Sequence, residues 1–217
     1  PREVFMVQAS QQALPTQVQL SDRQRTILLA VARRSLVNTL VRHLPPPQAV
    51  DDAVRKELTQ ATTATSIEAR DQLLAQGACF VTLWRRDTGE LRGCRGECSA
   101  HQPLVSAVGF MAIATALDDP RFAEVTEGEL ADLRIEISVL TPLCPIEPQQ
   151  IEIGRHGLLI IEGRRRGLLL PQVAVEHQMN RTQFLEAVCW KAGLPADAWR
   201  SASASLWAFE TASWTEE

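Results

Sequence analysis

Leu91-Arg92-Gly93-Cys94-Arg95-Gly96-Glu97, with Cys98 and His101 close behind, is the stretch best equipped for chemistry. A cysteine between two glycines sits where the backbone can turn sharply or approach a ligand. Arginines on either side supply a positive field that favours thiolate over thiol, and Arg92, two residues away on the same strand face, is expected to lower the Cys94 pKa. A thiolate also needs a base, and the chain offers only His43, His101, His156 and His177. His156, between glycines in Gly154-Arg155-His156-Gly157, is the expected partner; Arg121 and Arg155 beside turns are candidates to bind an anion, with an ordinary turn-locking pair of Asp119 and Arg121 the favoured alternative for Arg121. The opposing reading is structural, with Cys94 packed inside a tight hairpin.

Metal binding is weighed on Cys94, Cys98 and His101, spaced C-x3-C-x2-H. With no second paired motif, no metal site and no cofactor are assigned. The three-cysteine C-x3-C-x2-C arrangement that holds a radical SAM cluster is absent from the sequence.

The elements that must position these residues follow from pattern. Ser21 and Gln24 form a capping box for a helix whose apolar face is Ile27, Leu28, Val31, Leu36 and Leu40, ending before Pro45-Pro46-Pro47. Arg33 and Arg34 are expected on its solvated side. Residues 45–52 look like a loop, and residues 53–65 give no clear pattern. A helix is expected over 66–76 with Leu73 and Leu74 inward, then a strand at Cys79-Phe80-Val81-Thr82-Leu83-Trp84, a turn at Asp87-Thr88-Gly89, and the cysteine strand. Pro103 opens an almost wholly apolar helix to about Leu117, which belongs in the core centre. Leu133, Ile135, Ile137 and Val139 alternate with Arg134, Glu136 and Ser138, a half-buried strand on which Glu136 is either a catalytic acid or, as is commoner, simply part of the wet side.

Beyond a proline-rich loop, residues 151–170 read as short strands with a solvated tip at Arg164-Arg165-Arg166. Asn180 with Gln183 caps a helix carrying Phe184, Leu185, Val188 and Cys189. A last strand at 205–209 precedes a polar tail. The first twenty residues are a lead-in with one short strand at Val4-Phe5-Met6-Val7. Irregular mixing of strands and helices favours α+β with mainly antiparallel pairing.

Composition bounds the rest. The 217 residues suffice for one core or a domain with a smaller lobe. A net charge of −4 without a basic stripe argues against nucleic acid. Five cysteines, an odd number, suit a reducing cytoplasm better than a disulfide framework. No apolar run is long enough for a bilayer span.

Phe80-Val81-Thr82-Leu83, the Leu-Arg-Gly-Cys-x-Gly core, Asp119-Pro120-Arg121-Phe122, Ile137-Ser138-Val139-Leu140, Gly154-Arg155-His156-Gly157 and Leu170-Pro171-Gln172-Val173-Ala174 occur in that order. Together they resemble the AMMECR family, also known as AmmeMemoRadiSam system protein A, over residues 21–217. The resemblance implies a larger lobe, a smaller lobe at about 146–194 and a cleft between them. It implies a Memo-like protein and a radical SAM protein as partners, and it carries no settled reaction. Arg95 departs from the pattern, which has an apolar residue there. Two functions follow as expectations. One is an enzyme-like cleft with Cys94 and His156 catalytic and Arg92, Gly93, Arg95, Gly96, Arg121 and Arg155 around a small anionic substrate. The other is a non-catalytic adaptor, docking protein or less readily RNA, in which the turn is structural.

Overall fold

The computed structural model describes residues 19–61 and 66–217; the expected strand at Val4-Phe5-Met6-Val7 lies outside them. The chain is α+β and divides into two compact units. Of the described residues, one unit holds 19–61, 66–142 and 210–217, the other 143–209.

In the first unit, helix α1 (Asp22–Leu40) is opened by the reciprocal Ser21–Gln24 box, with the Gln24 N–H donating to Ser21 Oγ at 3.3 Å and the Ser21 N–H to Gln24 Oε1 at 2.8 Å. Its buried stripe, Ile27, Leu28, Val31 and Leu36, faces the core. Helix α2 (Pro46–Ala61) starts inside the proline run that reads as a loop in sequence. Proline lacks an N–H, and the first turn of a helix has no intrahelical acceptor for one, so Pro46 and Pro47 suit that position. Helix α3 (Ile67–Leu74) is capped by Ser66 and buries Leu73, while Leu74 stays exposed, contrary to expectation.

Strands β1 (Ala78–Arg85) and β2 (Leu91–Gly96) form the expected hairpin. Helix α4 (Leu104–Leu117) packs between this hairpin and α1, burying Val105, Val108 and Ala112 completely. A sheet in the order β2-β1-β3-β8 closes the unit, with β3 at Leu133–Leu140 and β8 at Thr211–Thr215. Strand β8 replaces the polar tail expected from sequence. It pairs antiparallel with β3 from Glu136↔Thr215 to Leu140↔Thr211, and Trp214 packs against the core.

One face of this sheet is apolar. Cys79, Val81 and Leu83 of β1 with Ile135, Ile137 and Val139 of β3 are buried in the core shared with the helices. Strand alternation sends Phe80, Thr82 and Trp84, with Arg134, Glu136 and Ser138, to the opposite face. That second face is the one that matters below.

The second unit holds a sheet in the order β4-β7-β5-β6, made of β4 (Cys144–Pro145), β5 (Gly157–Glu162), β6 (Arg165–Leu169) and β7 (Ala204–Phe209). Helices α5 (Pro171–Glu176) and α6 (Arg181–Lys191) complete it; Phe184, Leu185, Val188 and Cys189 of α6 are buried in its core as expected.

Candidate functional site

Cys94 lies on β2, the edge strand of the first sheet, and its partner across the hairpin is Thr82. Thr82 in turn faces Glu136 on β3. Three side chains, a thiol, a hydroxyl and a carboxylate, are therefore aligned across three strands on the sheet face opposite the core. Directly opposed residues bring their Cβ atoms to about 5 Å, close enough for side chains to meet. The Thr82 hydroxyl donates to Cys94 Sγ at 3.3 Å, and the indole N–H of Trp84 donates to Glu136 Oε2 at 3.1 Å.

The rest of the motif supports this row. Pairing passes from Trp84↔Leu91 to Leu83↔Gly93, so Arg92 is the extra residue of a β-bulge. The bulge breaks the alternation that would place Arg92 on the face of Cys94. Arg92 is buried instead, donating through Nε to Glu129 Oε1 at 2.8 Å and through Nη1 to the Ala123 carbonyl at 2.9 Å. Glu129 also accepts from the Thr126 N–H at 2.9 Å. These bonds, the Arg92 guanidinium first, hold the Glu129 carboxyl down at about 2. Arg92 is thus a structural clasp, and the roles expected for it toward substrate and thiol are not its own.

Both glycines are placed by close packing. A Cβ on Gly93 would stand 2.7 Å from the Thr115 carbonyl oxygen, and one on Gly96 would stand 2.3 Å from the Phe80 ring. Their absent side chains accommodate protein rather than a ligand. Arg95 pairs with Val81, so it belongs to the sheet face away from Cys94 and is exposed. Its N–H donates to Thr115 Oγ1 at 3.1 Å.

Asp119, almost fully buried after the end of α4, holds the cysteine backbone: Oδ2 accepts the Cys94 N–H at 2.9 Å. The Arg121 guanidinium grips the same carboxylate, Nε to Oδ1 at 3.0 Å and Nη2 to Oδ2 at 2.7 Å, and also donates to the Cys94 carbonyl at 3.4 Å. That pairing, then the Cys94 N–H, drives the Asp119 carboxyl far below the usual carboxylate range. Arg121 keeps 55% of its side chain exposed and stands at the outer edge of β2. Of the arginines of the first unit expected at the substrate, Arg121 is the one whose guanidinium the structure brings to Cys94.

The thiol itself is half-buried. Burial pushes its pKa up; the Thr82 hydroxyl and Arg121 pull the other way, and Asp119 and Glu136 reinforce the rise. The resting group is a thiol, which corrects the expectation of a depressed pKa. The arginine field foreseen from Arg92 is consumed by Glu129, and desolvation prevails.

His156 and Arg155 lie in the second unit, in the turn before β5. His156 is fully buried; its ring Nδ1 accepts the Glu152 N–H at 3.1 Å, and its backbone N–H donates to the Glu152 carbonyl at 3.0 Å. A ring nitrogen already accepting an N–H is not a free base at that atom. The local contacts of His156 therefore lock a turn. Arg155 is exposed and pairs with Glu152 at 3.1 Å.

Among the described residues, no group of three or more His, Cys, Asp or Glu side chains is arranged to hold a metal. His101 faces Glu97 at 3.4 Å. A groove of about 780 Å³ runs along α1 and β8, lined by Arg25, Leu29, Arg33, Val37, Asn38 and Trp214 among others; none of the predicted site residues lines it.

The model of the AMMECR1 family matches residues 47–214. The chain belongs to the AMMECR1 family. It is 37% identical over 207 residues to Protein TK0174 of Thermococcus kodakarensis, which covers 91% of this chain and 93% of that one. It is 42% identical over 154 residues to Protein MK0488 of Methanopyrus kandleri, 67% of this chain and 74% of that one. The fold matches the crystal structure of the uncharacterized protein PH0010 from Pyrococcus horikoshii with a TM-score of 0.76 and 34% identity, covering 91% and 94% of the two chains. AMMECR1 relatives of this kind are uncharacterised proteins, so what the Cys94 row does must be argued from its own chemistry.

In the sequence Cys94 and Arg121 stand out, Glu136 reads as a catalytic acid or as the wet side of a strand, and Thr82 carries no assigned role. The alternation of β1 and β3 was the available signal: a polar Thr82 and a Glu136 on the same phase of two adjacent strands.

Proposed function

We propose that this AMMECR1 chain carries an enzyme-like, thiol-centred site on the polar face of its first sheet, with Cys94 as nucleophile toward a small substrate that has an anionic group. The observation that supports this is the in-register row of Cys94, Thr82 and Glu136 on the face opposite the core. A thiol serving only as packing has no need of a hydroxyl donor on its sulfur and a carboxylate one residue further along the row.

In this reading Asp119 and Arg92 hold the strand in place, and Arg121 meets the anionic end of the substrate. Because the resting cysteine is a thiol, it must lose its proton before it attacks, and the row offers the Thr82 hydroxyl as the neighbour of the sulfur with the Glu136 carboxylate beyond it as the final acceptor. The family resemblance supports a pathway shared with a Memo-like protein and a radical SAM protein, in the cytoplasm. Among the described residues no helix is long and apolar enough to cross a membrane.

Iodoacetamide labelling of the native protein, read by peptide mass spectrometry across pH 6 to about 10, tests the proposal. Cys94 should label without denaturant, with a rate that climbs steeply above neutrality. Labelling only after unfolding would defeat the enzymatic account. The adaptor reading then stands, favoured by how fully Arg92, Gly93, Gly96 and Asp119 are engaged in structure. In that case co-purification with the two partner proteins should survive Cys94→Ser.

A further inference from the structure

The charges around Cys94 are not those of a plain anion site. Arg121 gives two of its three nitrogens to Asp119, so much of its charge is matched before any ligand arrives. Arg92 is matched by Glu129, and Arg95 belongs to the other face. On the opposite side of the thiol stands Glu136, whose carboxylate takes one hydrogen bond from Trp84 and has no ion pair among the described residues. Arg134, two residues before it on the same face, is exposed and forms no ion pair with it.

The order across the sheet is therefore guanidinium at the outer edge of β2, thiol on β2, hydroxyl on β1 and carboxylate on β3. Neighbouring strands lie about 4.8 Å apart, so roughly 10 Å of sheet separates the backbones that carry Cys94 and Glu136. A wholly anionic ligand long enough to pass the thiol would run into Glu136. A ligand with a positively charged end would be drawn to it, and opposite poles fixed on either side of the sulfur would set which end lies where.

We infer that the site takes a dipolar ligand of the ω-amino-acid or short-peptide class, its carboxylate against Arg121, its ammonium against Glu136, and its middle carbons over Cys94. This rests on the thiol-site reading above and sharpens its substrate class. Arg121 and Glu136 then act as specificity determinants, each choosing one end.

The probe is 6-aminohexanoate, whose two charges are held apart by a flexible chain, compared with hexanoate and hexylammonium, each carrying one of its ends. Calorimetric titration of the full chain at low ionic strength should give an affinity at least about tenfold tighter for 6-aminohexanoate than for either single-ended probe. Glu136→Gln should erase its advantage over hexanoate, and Arg121→Gln its advantage over hexylammonium. Because Arg121 also grips Asp119, Arg121→Lys is the companion variant, expected to keep the preference if the protein melts as wild type does.

Equal binding of hexanoate and 6-aminohexanoate, or no binding of any probe to the wild-type chain, would overturn the inference. Calorimetry does not depend on thiol reactivity, so its outcome is separate from the alkylation result. A chain that binds the dipolar probe while Cys94 stays inert keeps this inference and loses the nucleophile. The reverse keeps the nucleophile and loses the dipolar substrate.

Discussion

At the residue scale the decisive atom is Cys94 Sγ, and what governs it is a contest between desolvation and two nearby donors. Thr82 is 8% exposed and donates to the sulfur. Thr82→Val keeps the shape and removes the hydroxyl, so the thiol pKa should rise further. Alkylation by iodoacetamide near pH 8 should slow roughly three- to tenfold, since each unit of pKa is a factor of ten in thiolate. Glu136→Gln should do the reverse, because the Glu136 charge disfavours thiolate. Matching second-order rates in wild type and both variants would show that neither group faces the sulfur. Cys94 stands out by residue type and spacing, Arg121 by its place in a family motif, and both arrive at the site. Arg92 does not, because one extra residue in β2 reverses the parity on which the expectation depends. A bulge is set by cross-strand pairing with β1 and has no local signature beyond a neighbouring glycine.

At the element scale, β2 is an edge strand whose outward N–H groups would invite another strand. The outward N–H of Cys94 is already satisfied by Asp119, so the segment after α4 covers that part of the edge, while the Arg95 N–H points toward β1 and reaches the Val81 carbonyl through the Thr115 hydroxyl. The Arg92–Glu129 clasp ties β2 to the short 3-10 turn Glu127–Asp132. Glu129→Gln would leave the Arg92 guanidinium, 7% exposed, without its counter-charge, and should cost about 2–4 kcal/mol in urea unfolding at pH 7. The acid dependence has a definite sign. The folded pKa of Glu129 lies below its unfolded value near ~4.3. Its contribution is therefore complete above that value and drains away as pH falls toward about 2. Asp119, depressed further, acts in the same direction. A stability profile that is flat between pH 5 and ~2 would contradict both pairings.

Helix α1 shows the same lesson from the other side. The pattern assigns Arg33 to solvent, yet its guanidinium donates to the Leu130 and Leu133 carbonyls, each at 2.7 Å, and pairs with Glu216. Periodicity tells which face of a helix is apolar. It carries no information on a carboxylate more than a hundred residues away that will return to meet that helix.

At the scale of the whole molecule, the chain leaves the first unit after Pro142, builds the second, and comes back as β8. Strand β8 pairs with β3, buries part of Trp214 and delivers Glu216 to Arg33 and Arg86. Deleting residues 211–217 should expose the β3 edge and leave two arginines without their acid. Amide hydrogen exchange should then show lost protection in β3 and α1, with β5 and β7 of the second unit unchanged. Uniform loss across both sheets would mean that the two units do not open separately.

What the sequence determined by itself is whatever local periodicity and local chemistry encode: the capped helices α1, α3 and α6, the apolar α4, the β1–β2 hairpin, the phase of β3, the family and the cysteine. Each depends on residues within a turn or two of one another. What only the tertiary structure decided is long-range: the bulge that withdraws Arg92, the burial that raises the Cys94 pKa, the assignment of His156 to a turn in the second unit, and the row that sets Thr82 against the sulfur with Glu136 beyond it. Those depend on which strands become neighbours, and strand neighbours are selected by burying a shared apolar face, a free energy that no single segment contains.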